Sequence, residues 1–254
     1  RRLRGPDPRC RVEIDPAAPA SRLSRVILGA EDNTSFWQQY PETGDPAIPS
    51  QRITFETATD LGGEFFRWCF AVAIAGSIMQ LNPFDEPDVA ATKTATRRLL
   101  DGDSPTETSA ALTPGELGSC LASAGAGSYL AILTYLPPDP TLFDVLEEFA
   151  QRVREQFAIP VTVNSGPRYL HSTGQLHKGG ASKGIFLLVR SVPEHDLDIF
   201  NEDFGFAHLN HSQAEGDRAV LTGRGRSVSG IDLVGPAMSC VALLRGALAD
   251  VLST

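Results

Sequence analysis

Glu86 and Lys93 place a carboxylate and an ammonium two helical turns apart within the run Leu81–Lys93, LNPFDEPDVAATK. Residues seven apart lie on nearly one face of a helix, so the two look the same way and form a candidate acid–base pair. The competing reading is a helix cap followed by solvated charges, since capping acids and surface lysines are common. A second set of chemistry-bearing residues lies in Tyr169–Gly180, YLHSTGQLHKGG. There Ser172 and Thr173 can cap a helix whose first amides bind phosphate or hydroxyl groups. His171 can transfer a proton near neutral pH. Gln175, His177 and Lys178 add polar contacts, and Gly179 and Gly180 permit close backbone approach to a ligand. The alternative is a polar turn with a cap. His171 and His177 are six apart, which is not the i, i+4 spacing of a helical metal pair, so no metal is expected. A third run, Phe204–Arg226, holds His208, His211 and Gln213 on what reads as a packed helix. Asp217 and Arg218 there read as surface pairs of little worth, and the closing TGRGR as a solvated turn.

The elements that must position these residues follow from patterning. Phe65–Leu81 is apolar nearly all round, as in a buried helix, and is too short and mixed to favour a bilayer span. Asn82 and Pro83 stop it. Asp85 then caps a second helix with Pro87 and Asp88 in its first turn, and Arg97 and Arg98 suit its C-terminal end. Ser24–Gly29 and Gln51–Ala58 read as strands, and Asp101–Leu112 as a polar linker. Beyond it the pattern is regular. Helices are expected at Gly115–Ala124, Thr141–Phe157, His171–Lys178, Phe204–Leu221 and Pro236–Leu252, with Pro236 in the first turn of the last. Strands are expected at Ser128–Leu136, Ile159–Val163, Gly184–Val189 and Ser227–Val234. Such alternation implies a mostly parallel sheet in a three-layer α/β/α sandwich. Ligands in these sheets bind beyond the carboxyl ends of the strands. The Ile159–Val163 strand would deliver the His171 segment to that edge.

Composition narrows the function classes. The chain has 254 residues, 42% hydrophobic and 21% charged, which suits a globular protein with one or two cores. Its net charge of −9 argues against a general nucleic-acid or anionic-membrane binder. An anionic ligand would need local positive charge, which singles out Lys93, Arg168, Lys178, Lys183, Arg224 and Arg226. Cys10, Cys69, Cys120 and Cys240 form no CxxC pair and suit reduced, buried thiols in a cytoplasmic protein.

Three stretches in order carry a family resemblance: LGGEFFRWCFAVAIAGSIMQLNPFDEPDVAATK, GPRYLHSTGQLHKGG and FGFAHLNHSQAEGDRAVLTGRGR. With AILTYL at Ala131–Leu136, the chain from about residue 20 onward resembles the glucose-6-phosphate isomerases. It most resembles the isomerase part of bacterial fused transaldolase/glucose-6-phosphate isomerase proteins. The resemblance implies interconversion of glucose 6-phosphate and fructose 6-phosphate by ring opening and a cis-enediol, without metal or cofactor. It implies that Lys93 assists proton transfer at the ring oxygen and that His171 lies beside the sugar. It places Glu86, Ser172, Thr173, Gln175, His177 and Lys178 near the substrate. Glu86 stands where relatives carry glutamine, and Cys69 where they carry glutamate. The family's proton-moving glutamate, in an ESTGK-like string, has no counterpart here.

The expectation is therefore a C-terminal fragment of a longer enzyme. Residues 1–20 would form a truncated, poorly ordered segment. Residues 21–105 would end an incomplete sugar-isomerase domain, and 106–254 would form a C-terminal α/β domain. Partners would be a hexose phosphate and the missing N-terminal domain or domains of the same chain, with no nucleic acid and no membrane; a preceding transaldolase domain and a homo-oligomer are left open. The alternatives are a sugar-phosphate-binding module without catalysis and a fragment inactive alone.

Overall fold

The computed structural model describes residues 25–30, 50–102, 113–235 and 237–253. For 25–30, 50–55, 58, 237 and 238 it describes the backbone alone. The expectations for residues 1–20, for most of the 101–112 linker, and for Cys10 and Pro236 lie outside the described residues. The chain divides into two compact units, Arg1–Asp85 and Glu86–Thr254.

In the first unit, β1 (Arg25–Ala30) and β2 (Ser50–Phe55) pair in parallel. Helix α1 spans Ala58–Met79. Thr57 and Asp60 close a reciprocal capping box at its start, satisfying backbone donors that a helix N-terminus leaves open. The helix therefore begins seven residues before the apolar run and ends on Gln80 in a left-handed conformation, φ 56°. Its Thr59–Met79 stretch is long and apolar enough, by length and composition, to cross a bilayer, so the expected shortness does not hold. Nor does the expected burial: Phe66 is 73% exposed and Ile78 76%. A two-stranded ladder offers one face, whereas a helix apolar all round needs cover on every side. Cys69 is exposed and Cys120 half-buried; Cys240 alone of the three described cysteines has the expected burial.

The second unit is a three-layer α/β/α sandwich. In chain order it runs α2 (Pro87–Leu100), α3 (Pro114–Ala122), β3 (Tyr129–Tyr135), α4 (Pro140–Phe157), β4 (Val161–Ser165), α5 (Gly174–Gly179), β5 (Gly184–Val192), α6 (Phe206–Gly223), β6 (Ser227–Val234) and α7 (Ala237–Leu252). The four strands are all parallel, in the order β4-β3-β5-β6. Proline opens α2, α3 and α4 at their first turns, where its missing N–H costs nothing. Thr113 and Asp139 cap α3 and α4 with side-chain oxygens.

The central strands β3 and β5 are buried on both faces, and their side chains alternate between two cores. Leu130, Ile132, Leu187 and Val189 face the core made with α3, α4 and α7. Ala131, Leu133, Phe186 and Leu188 face a second core with Val89, Leu170, Ala214 and Leu221. This period of two is the pleat, and burial of both faces is why β3 and β5 read as near-continuous apolar runs.

Helix α2 belongs to this second unit, so the packing boundary falls after Asp85 rather than near residue 105. The cause is the inner face of α2: Asp88, Val89 and Thr92 are buried there, and α2 packs along α6. The approach is close. A Cβ on Gly216 would stand 2.6 Å from Thr96 Oγ1 and 2.9 Å from Thr96 N, so only glycine lets the two helices meet at this distance.

Candidate functional site

Lys93 and His171 line one open groove of about 250 Å³. Helix α2 supplies one wall through Thr92, Lys93, Thr96, Arg97 and Leu100. The chain leaving β4 supplies Pro167, Leu170 and His171, and α6 contributes Gln213. Each wall has a local cause. Lys93 and Arg97 are one turn apart, as Thr92 and Thr96 are, and so each pair shares a face. Thr92 and Thr96 hydroxyls donate to the carbonyls of Asp88 and Thr92 at 3.0 and 2.9 Å, turning their polar atoms back into the helix. At the end of β4, Gly166 fits flat against Tyr135, where a Cβ would meet the ring at 2.5 Å. The peptide before Pro167 is cis. A 3₁₀ turn, Arg168–His171, then carries His171 to the groove.

The other expected site residues go elsewhere. Glu86 is the exposed N-cap residue of α2 and makes no side-chain cap bond, so the cap expected of Asp85 falls one residue later and without a capping carboxylate. The Ser172 hydroxyl donates to Tyr169 O at 3.1 Å. Thr173 precedes α5 with no cap bond, its hydroxyl buried. Gln175 faces Asp88: its Nε2 donates to Asp88 Oδ2 at 2.8 Å, and its Oε1 accepts from the Asp88 amide at 3.0 Å.

His177 and Lys178 lie in the core, not in the groove. The His177 ring packs among Tyr129, Tyr169 and Phe186, and Nδ1 meets the Tyr129 hydroxyl at 2.9 Å. Burial, followed by the nearby Lys178 and Arg226 cations, lowers its pKa to about 4, so the ring is neutral at pH 7. Lys178 Nζ meets Asp217 Oδ1 at 2.5 Å with both side chains 0% exposed, and it lies 5.5 Å from the centroid of the Tyr169 ring. Burial brings the ammonium down to about 8 and pushes the Asp217 carboxyl well up. The Tyr135 phenol is also pushed well up, by burial and then by Asp217.

Sequence patterning reads three polar residues with structural weight differently. Asp217 is not a surface acid, and its neighbour Arg218 pairs with Glu215 at 2.6 Å. The TGRGR turn is not simply solvated. Arg224 reaches Asp88 Oδ1 through Nε at 2.7 Å and Nη2 at 2.5 Å. Arg226 is buried and donates to the carbonyls of Lys178 and Gly180 at 2.6 and 2.7 Å. Asp88, at 2% exposure, thus ties α2 to both α5 and the α6–β6 turn. Asp88 of the NPFDEPD run pairs with Arg224 of the downstream turn, a contact between residues 136 apart that local spacing does not show.

The groove has cations, an imidazole and an amide, with no carboxylate among its lining residues. Such a surface can receive an anion and deliver a proton. Among the described residues, no group of three His, Cys, Asp or Glu is placed to hold a metal ion.

The fold defines a three-layer α/β/α protein with a parallel sheet. No protein-family model matches the chain, and no curated protein matches it in sequence. Among solved structures it is similar to the hypothetical protein TT0462 from Thermus thermophilus, at 13% identity and a TM-score of 0.44, over 94% of this chain and 79% of that one.

Proposed function

We propose that the chain is part of a phosphosugar aldose–ketose isomerase that interconverts glucose 6-phosphate and fructose 6-phosphate. The observation that carries this reading is that Lys93 and His171, from segments far apart in sequence, line the same groove. The chemistry needed first is ring opening. A proton reaches the ring oxygen as its bond to the anomeric carbon breaks, and the anomeric hydroxyl gives one up. Lys93 supplies the cation and proton at the ring oxygen, and His171 exchanges the other. The proton then moves between C1 and C2 through a cis-enediol. In this reading the carboxylate that carries it comes from residues beyond this sequence.

The test is interconversion of the two hexose phosphates by the intact parent protein, with and without Lys93→Ala. Loss of one acid–base partner should lower the rate by about a hundredfold or more. Wild-type turnover in the variant would remove Lys93 from the reaction. Absence of turnover in the parent protein, with fructose 6-phosphate still bound, would favour a binding module. Exposed Glu86, where the isomerases that the sequence resembles carry glutamine, is the observation on that side.

A further inference from the structure

We infer that the 193–205 connection between β5 and α6 docks on a second copy of this chain, seating Phe200 and its neighbouring acids in that copy's groove. This goes beyond the isomerase reading and does not rest on it. The first support is the connection itself. Phe200 is 89% exposed and Leu197 73%, and Phe206, which opens α6, is exposed too. Single exposed apolar residues are ordinary, but a cluster of them rimmed by polar groups marks an interaction surface. The cluster is not a loose tip. Asp196 accepts from the amides of Leu197, Ala207 and His208 at 2.8, 2.6 and 3.0 Å. Phe206 N donates to Leu197 O at 2.9 Å, and Glu202 N to Ile199 O at 3.1 Å. Asp198 and Gly205 pair across the connection as an isolated bridge. An apolar anchor held in this way loses little freedom on binding.

The second support is charge. Glu194, Asp198, Glu202 and Asp203 are exposed and form no ion pair among the described residues. Their complement lies on the same chain. The groove sets Lys93, Arg97 and His171 around Leu100, Pro167 and Leu170, with no carboxylate in its lining, and its 250 Å³ has room for a phenyl ring. An aromatic anchor between acids thus matches an apolar floor between cations, the pairing that steers and fixes a specific contact. The connection does not reach its own groove. Its ties to Asp196 and Gly205 hold it at the start of α6, whereas Gln213, the α6 residue in the groove, lies about 10 Å further along the helix axis than Phe206. Each copy carries both elements, so a two-fold pairing makes both contacts at once.

Sedimentation of the whole chain over a concentration series tests this. The wild type should dimerise below about 1 mM and do so more weakly as salt rises. Phe200→Ser, at an exposed position, should leave the unfolding midpoint unchanged and weaken association by about tenfold or more. Two charge reversals complete the test. Glu202→Lys/Asp203→Lys sets cations against the groove's cations, and Lys93→Glu/Arg97→Glu sets acids against the connection's acids. Each variant alone should be monomeric, and their equimolar mixture should dimerise, because both contacts are complementary again. A wild type that stays monomeric up to about 1 mM would overturn the docking, as would association indifferent to Phe200→Ser or a mixture that fails to associate. Association that persists in both reversed variants would belong to another face, such as that of α1, and would overturn it too. Fructose 6-phosphate, which the isomerase reading puts in the groove, should compete with the connection. If saturating sugar phosphate leaves association unchanged while the variants behave as expected, the docking stands and the sugar's place in the groove falls.

Discussion

Two sets of cations in the second unit behave in opposite ways. Lys178 and Arg226 are buried and paired, one against Asp217 and the other against carbonyls. Lys93 and Arg97 are exposed on a groove with no carboxylate in its lining. A buried charge is tolerated only when paired and hydrogen-bonded, so the first set is spent on holding the fold. An exposed, unpaired charge adds little to stability and is left free to meet a ligand. Residue type alone does not separate these roles; what each cation faces does.

The most severe way to break the comparison is to strand the buried ammonium. Asp217→Leu should cost about 3–5 kcal/mol, because it leaves Lys178 uncompensated in the core. The double variant Asp217→Leu/Lys178→Met should recover most of that, since an apolar pair of similar volume is often neutral or better. Urea unfolding of the three proteins measures the effect. A loss under about 1 kcal/mol in the single variant would mean that the pair is not a charge pair in solution.

Acid offers the next largest perturbation. The folded-state pKa of His177 is lowered to about 4 from 6.5, so the unfolded chain binds this proton more readily. Stability contributed by the neutral ring is present above pH 6.5 and is lost as pH falls toward about 4, by roughly 3 kcal/mol for a shift of this size. Denaturation midpoints between pH 7 and 4.5 should fall in the wild type, and the slope should flatten in His177→Phe. An unchanged slope would place the acid sensitivity elsewhere.

These buried groups also mark where sequence reading succeeds and where it stops. The alternation of helices and strands from Gly115 to Leu252 is legible because both faces of the sheet are covered, which gives β3 and β5 long apolar runs with turn residues between them. Patterning places strand β4 two residues early, because nothing in IPVTVNS distinguishes a paired residue from its neighbours. Lys93 and His171 are legible as chemistry-bearing residues, and their shared groove is a tertiary fact. Lys178 reads as a ligand contact because lysines are rarely buried; its partner Asp217 lies 39 positions away on another helix. The burial expected of α1 fails for a related reason: an apolar sequence states that a helix needs cover, not which residues supply it.

Asp88 joins the two sets and tests whether the groove depends on the core beneath it. Asp88→Asn keeps the shape but removes the charge that holds Arg224 and weakens the contact to Gln175. A buried, charge-assisted network of this kind should lose about 1–3 kcal/mol. Arg224 would also become a free cation beside α2. If Asp88 positions the α2 wall, fructose 6-phosphate affinity should fall together with stability. If stability falls while affinity is unchanged, the network braces the fold without setting the groove.

Lys93→Ala should produce the smallest change in stability and thereby sharpens the comparison most. Its ammonium is exposed and unpaired among the described residues, alanine is the better helix former, and a surface substitution of this kind stays within about ±0.5 kcal/mol. The same change should remove the proton donor from the groove and cost the parent protein its turnover. Lys178→Met/Asp217→Leu provides the opposite profile, with the core altered and the groove residues untouched. Measuring unfolding free energy and hexose phosphate turnover for both variants places each lysine on one axis or the other. A Lys93→Ala protein destabilised by about 2 kcal/mol or more, well beyond the usual surface range, would show that this lysine, too, belongs to the fold. The distinction between spent and available cations would then fail at the residue on which the isomerase reading most depends.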